Sequence, residues 1–367
     1  MIKLAIRTTR FHRLLRHVQR PWARHLERRA LERYTAFAYR LLDRLTKDGH
    51  IDFDGETPVI TKALQTRSDV VVLLVGKMGA ADASMILKLP LTPDAERSTT
   101  SHRQVVMSLH QLPDLGGVGR LIPSALTWGE YEQQAYYLET ALPGLAVNEL
   151  VRTRNEPHSL KPDAVAAIRQ LHLATAQRLV VDEPVFRELV GGELAQLRQL
   201  APRWPEAPML TQQLQAIEDL LRRQLLGREL PFSWTHGDYW PGNILVCPVD
   251  GSLSGIVDWD RASAHQLPLV DVLHFLAYTR KMQHRTELGE EVVAYLLPAA
   301  FDAQERSLID ETVEQLGLPK SADFLHAVVL LYWLQFAATN LSRYPSFQHD
   351  EYWMRKNVLL VLKRGLS

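Results

Sequence analysis

The sequence is poor in the features that staple, anchor or polarise a chain. Its 367 residues include one cysteine, Cys247, which excludes an internal disulfide framework and fits a reducing compartment. Because that thiol stands in an apolar run, it reads as a buried packing residue rather than a nucleophile. Lysine plus arginine number 42 and aspartate plus glutamate 42, so no overall field draws the chain to nucleic acid, and no nucleic-acid partner is expected. Long hydrophobic runs are missing as well. The most apolar stretch, Ala327 to Ala338, is about half of the roughly 20 residues a bilayer crossing needs, and Gln335 interrupts it. The N-terminus shows no apolar segment followed by a small-residue cleavage site. No transmembrane segment is therefore expected, and the expected location is cytoplasmic. Internal repeats and low-complexity tracts are absent, and the length suffices for two lobes with substantial cores.

What is present concentrates between Thr235 and Arg261. His236-Gly237-Asp238 is followed five residues after the aspartate by Asn243, and Ile256-Val257-Asp258-Trp259-Asp260 comes next, its first acid fifteen residues after the asparagine. Two short apolar runs, from Asn243 and from Ser254, flank a turn-rich Val249-Asp-Gly-Ser-Leu. They predict a hairpin whose two ends meet, bringing Asn243 close to Asp258. A carboxylate and an amide offer hard oxygen ligands suited to Mg²⁺, whose remaining ligands are water and substrate phosphate. A further carboxylate, Asp238, is free to orient an attacking hydroxyl, which is the layout of a phosphoryl-transfer site.

These residues, His236, Gly237, Asp238, Asn243, Asp258 and Asp260, resemble the aminoglycoside phosphotransferase and choline kinase family, a small-molecule branch of the protein-kinase-like fold. The resemblance implies an α+β fold with a small β-rich N-lobe and a larger, mainly helical C-lobe. It implies ATP and Mg²⁺ as cofactors and a small-molecule hydroxyl as acceptor: Asp238 as catalytic base, Asn243 and Asp258 as metal ligands, and His236, Asp260 and Asp271 in support. Gly237 stands where protein kinases carry an arginine that reads a phosphorylated activation loop, so regulation of that kind is not expected.

By the same resemblance, residues 50–142 form the N-lobe and 143–367 the C-lobe. Two apolar strands, Asp69 to Gly76 and Ser84 to Pro90, are joined by a small-residue loop. Lys88, flanked by Leu87 and Leu89, is then the lysine that steadies the nucleotide phosphates, with Gly76 and Gly79 in the covering loop. Residues Asp52 to Lys62 read as polar and turn-like. The helix expected to offer an acid to Lys88, Ser98 to Leu112, contains none, and Glu96 lies before it. Leu121 to Thr127 and Gln134 to Gly144 read as two strands; the second is the expected hinge, where the backbone of Glu139 to Ala141 meets the adenine edge. Helices follow in the C-lobe, with His172 as a hydrogen-bonded core residue and Asp271 as a buttress of the catalytic loop.

Charge is balanced globally but not locally. Met1 to Lys47 carries thirteen Lys or Arg against three acids, with apolar residues at helical spacing and Pro21 between two helices. Residues 1–49 form a basic helical extension that packs on its own domain or, alternatively, makes peripheral membrane contact through residues 1–47. Two other functions stay open at this stage: a nucleotide-binding pseudokinase or scaffold, which a missing acid partner for Lys88 would suit, and a kinase acting on a lipid or glycolipid head group.

Overall fold

The computed structural model describes residues 32–66, 68–79, 83–153 and 155–365. The chain divides into two compact units, one of residues 1–103 with 124–141 and one of residues 104–123 with 142–367. Residues 32–47 thus group with the N-terminal sheet, and residues 104–123, expected with that sheet, group with the second unit. The fold is α+β, with a β-rich N-terminal part and a helical C-terminal part.

In the first unit, helix α1 (residues 32–47) buries Phe37, Ala38, Leu41, Leu42 and Leu45. Their spacing makes one apolar stripe, and it packs with Val71, Leu73, Val75, Leu87, Leu89 and Leu138 of the sheet. That stripe is consequently unavailable to a membrane surface. The opposite face holds exposed pairs such as Lys47 with Asp43 at 2.7 Å, each of small energetic consequence. Residues 1–31, which carry most of the basic excess, lie outside the described residues.

The sheet is antiparallel, with β1 (Pro58–Gln65), β2 (Val70–Lys77), β3 (Met85–Pro90), β4 (Ala125–Tyr131) and β5 (Gln134–Thr140) in the order β1-β2-β3-β5-β4. Strand β1 falls where the sequence reads as turn. It is an edge strand of half-exposed residues with a bulge between Ile60 and Lys62, so it lacks the clean alternation that marks a buried strand. Helix α2 (Pro93–His110) starts earlier than expected. Thr92 Oγ1 accepts from the Ala95 amide at 3.2 Å, and Pro93 occupies the first helical position, where its missing N–H costs nothing. Glu96 is therefore inside the first turn rather than ahead of the helix. Strand β4 starts at Ala125, four residues later than the expected Leu121, because Gly116–Leu121 winds into a 3₁₀ turn.

The second unit carries two three-stranded sheets among its helices. One contains β6 (Leu145–Ala146), the other β7 (Gln177–Val180), with α3 (Leu160–Thr175) between them in sequence. Next come α4 (Gly192–Leu200) and α5 (Ala207–Leu225). Leu210, Leu214, Ile217, Leu221 and Leu225 of α5 recur every three or four residues and are all buried. Strands β8 (Glu229–Thr235), β9 (Ile244–Val246), β10 (Leu253–Ile256) and β11 (Ser263–Gln266) precede α6 (Leu269–His284). Cys247 lies just past β9 and is half-buried rather than in the strand interior. Helix α7 (Ala322–Arg343) is long and apolar enough by length and composition to cross a membrane, longer than the run read from sequence, yet 78% of its most apolar window is buried inside the protein. Trp333, Leu334 and Phe324 on it are core residues.

Replacing Leu41 by Ala removes a fully buried side chain from the contact between α1 and the sheet. Stability should fall by about 2–5 kcal/mol, seen as a lower denaturant midpoint with an unchanged slope.

Candidate functional site

In the first unit the centre is a buried triad. Across an antiparallel pair, alternate residues share a face, and the register sets Lys88 opposite Tyr137 and Ile86 opposite Glu139. Lys88 and Glu139 thus lie diagonally on one face. Lys88 Nζ stands 2.8 Å from Glu139 Oε1, and His102 of α2 reaches Glu139 Oε2 at 2.6 Å. All three side chains are buried. Burial alone would raise the Glu139 carboxyl, but the charges of Lys88 and His102 outweigh it and bring it down to about 2.

This changes one expectation and adds to another. The acid beside Lys88 comes from strand β5 instead of the helix, which supplies a histidine. Glu139, expected to act through its backbone at the hinge, also supplies its side chain as the ion-pair partner. The neighbouring amides are also committed: Thr140 N–H donates to Ser124 O at 2.9 Å and Ala141 N–H to Ser84 O at 2.9 Å. A purine edge would find both donors taken. Gly76 lies inside β2, and Gly79 follows it with φ +81°; residues 80–82 of that loop lie outside the described ones.

In the second unit the hairpin forms as the letters imply. Ile244 pairs with Ile256 and Val246 with Leu253, and Val257 N–H donates to Asn243 O at 2.9 Å. Asn243 therefore faces the chain just ahead of Asp258. Asp258 is exposed and has φ +63°, a left-handed conformation that aspartate tolerates better than most residues but at some strain. Asn243 is buried and its Nδ2 donates to Asp238 O at 3.0 Å, with Asp238 Oδ2 at 3.4 Å. With its NH₂ turned to Asp238, the amide oxygen of Asn243 remains as an acceptor, and with the Asp258 carboxylate it makes a donor set that fits Mg²⁺.

The His236 to Asp238 turn is held from below. Asp271, in the first turn of α6 and 1% exposed, accepts from His236 N–H at 2.7 Å and Gly237 N–H at 2.9 Å. His172 Nε2 lies 3.1 Å from the same carboxylate. His236 Nδ1 accepts from Asp238 N–H at 3.3 Å, so its Nε2 carries the proton donated to Val257 O at 2.9 Å; burial lowers its pKa, which keeps the ring neutral. Gly237 has φ +72°, and a Cβ there would meet Arg261 O at 2.3 Å. No other residue fits this turn without displacing backbone. Trp259, fully buried, packs its ring 4.5 Å from that of His236.

Asp238 has two neighbours that the sequence reading did not assign to it. Arg261 Nη1 donates to its Oδ1 at 3.4 Å, and His274 Nε2 stands 3.5 Å from the same oxygen. Burial by itself would raise the Asp238 carboxyl, but His274 and the Arg261 guanidinium hold it well below the usual carboxylate range. His274 follows Asp271 by three positions on α6, which places both on one helix face; that spacing was the available signal. Asp260 pairs with Arg343 at 3.1 Å.

The turn bearing Asp238 is coupled to the Asn243 amide, and the Asn243 carbonyl to the strand that ends at Asp258. A family model described as the phosphotransferase enzyme family matches residues 61–309, and the chain belongs to that family. No curated protein matches it. Solved structures similar to it include an aminoglycoside phosphotransferase from Streptomyces rimosus in complex with ADP and streptomycin. That structure is 16% identical, covering 74% of this chain and 92% of that one, at a TM-score of 0.41. A GDP complex of an aminoglycoside 2′-phosphotransferase is 13% identical (84% and 92%, TM-score 0.48), and a glucosamine kinase 17% identical (84% and 93%, TM-score 0.39).

The depressed pKa of Glu139 has a defined sign. Its ionised form is favoured by folding, so its contribution to stability is complete above its ordinary value of 4.5 and is lost as pH falls toward about 2. Glu139→Gln should flatten the acid limb of a stability profile between those values, read from denaturant midpoints at successive pH.

Proposed function

We propose that the chain transfers the γ-phosphoryl group of ATP to a hydroxyl of a small molecule, with Mg²⁺ required. The observation that carries this reading is the grouping of Asp238, Asn243 and the strand end at Asp258 about one hydrogen-bonded rung, in a chain of the phosphotransferase family. Asp238 orients the acceptor hydroxyl and takes its proton. Its low pKa makes it a weak base, which suits a loose transition state in which the proton leaves late and positioning matters most. Asn243 through its amide oxygen and Asp258 through its carboxylate would hold Mg²⁺, which supplies charge neutralisation for the phosphates. Lys88, paired with Glu139, is assigned to the nucleotide phosphates. His236, Asp271 and Gly237 fix the turn that presents Asp238.

Gly237 at the turn, with no activation-loop reader, favours a small acceptor over a protein. A scaffold reading rested on Lys88 lacking an acid, and Glu139 removes that ground.

ATP should raise the melting temperature only with Mg²⁺. At about a hundred times its dissociation constant it adds about 2.7 kcal/mol. Asp258→Ala should abolish the Mg²⁺-dependent shift, whereas Asp238→Asn should keep it and lose turnover. Absence of a shift with any nucleotide, or near wild-type turnover in Asp238→Asn, would refute these assignments.

A further inference from the structure

Beside Lys88 and Glu139 the buried cluster of the first unit holds a third side chain, His102 of α2. The register puts Lys88, Tyr137 and Glu139 on one face of the sheet, and His102 meets them there. Its ring stands edge-on to that of Tyr137, with centroids 5.6 Å apart at 68°. His102 is 2% exposed and Glu139 3%, so an unmatched polar atom in this contact would be costly.

Three distances define what the ring does. His102 Nε2 lies 2.6 Å from Glu139 Oε2 and 3.4 Å from Lys88 Nζ, while Lys88 Nζ lies 2.8 Å from Glu139 Oε1. A lysine ammonium has only donors, and an ionised carboxylate only accepts. Burial would raise Glu139, yet the charges of Lys88 and His102 bring it down to about 2; it is ionised near neutral pH. The proton of the 2.6 Å contact therefore sits on His102 Nε2, which donates to Oε2. The approach of Nε2 to Lys88 is then that of two donors converging on one carboxylate, each with its own oxygen.

That division bears on Lys88. A carboxylate facing a lone ammonium can draw it with both oxygens, in competition with any phosphate that needs the same charge. With Oε2 satisfied by His102, the pairing with Lys88 runs through Oε1. Removing the donor would leave a buried carboxylate oxygen unmatched, and Lys88, 3.4 Å from the vacated nitrogen, is placed to fill it.

We propose that His102 is a positioning residue of the nucleotide site: by donating to Glu139 Oε2 it confines the hold of that carboxylate on Lys88 to Oε1, and so strengthens binding of the nucleotide phosphates. The proposal rests on the assignment of Lys88 to those phosphates. It goes further in giving α2 a side chain that acts on their binding.

The test is binding of Mg²⁺·ATP to the full chain by titration calorimetry. His102→Phe keeps a ring against Tyr137 and removes the donor, and His102→Asn keeps an amide too short to reach Oε2. Each should raise the dissociation constant at least tenfold. His102→Gln carries its amide one methylene further, to the reach of the imidazole Nε2, and should restore affinity at least fivefold over both. An equal loss in all three variants would mark a packing role and overturn the proposal. Wild-type affinity in the Phe and Asn variants, with Lys88→Ala weakened, would overturn it too. Where a variant does not fold, the wild type decides through the His102 Nε2 proton in ¹⁵N-histidine-labelled chain, assigned by its loss in any folded His102 variant. A hydrogen-bonded proton that moves on adding Mg²⁺·ATP supports the role; an unprotonated Nε2, or a proton indifferent to the nucleotide, overturns it. No binding by the wild type, or undiminished binding by Lys88→Ala, would instead remove the nucleotide reading beneath the proposal.

Discussion

The geometry of the second unit's site depends on one buried carboxylate. Removing Asp271 from water is costly unless its charge is met by donors, and three meet it: the amides of His236 and Gly237 and the ring of His172. Burial would otherwise raise its pKa; the His172 hydrogen bond and charge keep it lowered. Because two of the donors are consecutive backbone groups, the interaction sets the path of the chain and not merely one side chain. The following residue, Asp238, inherits its position from that path. Trp259 against His236, and the Val257 carbonyl on His236 Nε2, tie the same turn to the end of the hairpin.

Steric exclusion complements that electrostatic anchor. Arg261 stands with its carbonyl where a side chain at position 237 would project, and with its guanidinium on Asp238. A single residue thereby requires glycine on one side of the turn and stabilises the ionised carboxylate on the other. The left-handed backbone of Gly237, φ +72°, is a second and separate reason for glycine there.

In the first unit the equivalent constraint is the Lys88 pair. Breaking such a buried pair by deleting one partner typically costs about 3–5 kcal/mol, since it strands the other charge. Here both partners belong to adjacent strands, β3 and β5, and their diagonal placement follows from the register. The pair forms when the sheet forms, and α2 adds His102. A helix-borne acid would instead make the pair depend on how the helix docks.

How much of this was legible in the letters follows from how local each cause is. The His236-Gly237-Asp238, Asn243 and Ile256-Val257-Asp258 spacings encode a hairpin because turn residues and apolar runs act over a few positions, and the structure forms it there. The α+β character and the apolar stripe of α1 were readable for the same reason. Strand β1 was not, since its pairing with β2 compensates for a weak local pattern. Nor was the partnership of Lys88 with Glu139, separated by fifty-one positions, although an acid inside the apolar strand Gln134–Thr140 was a visible anomaly. The commitment of the Thr140 and Ala141 amides, and the approach of Arg261 and His274 to Asp238, likewise come from packing between elements. Sequence by itself determined which chemical groups this protein has and the short-range turns that carry them. Only the tertiary structure decided which charges meet, because register and burial join residues whose separation along the chain says nothing of their distance in space.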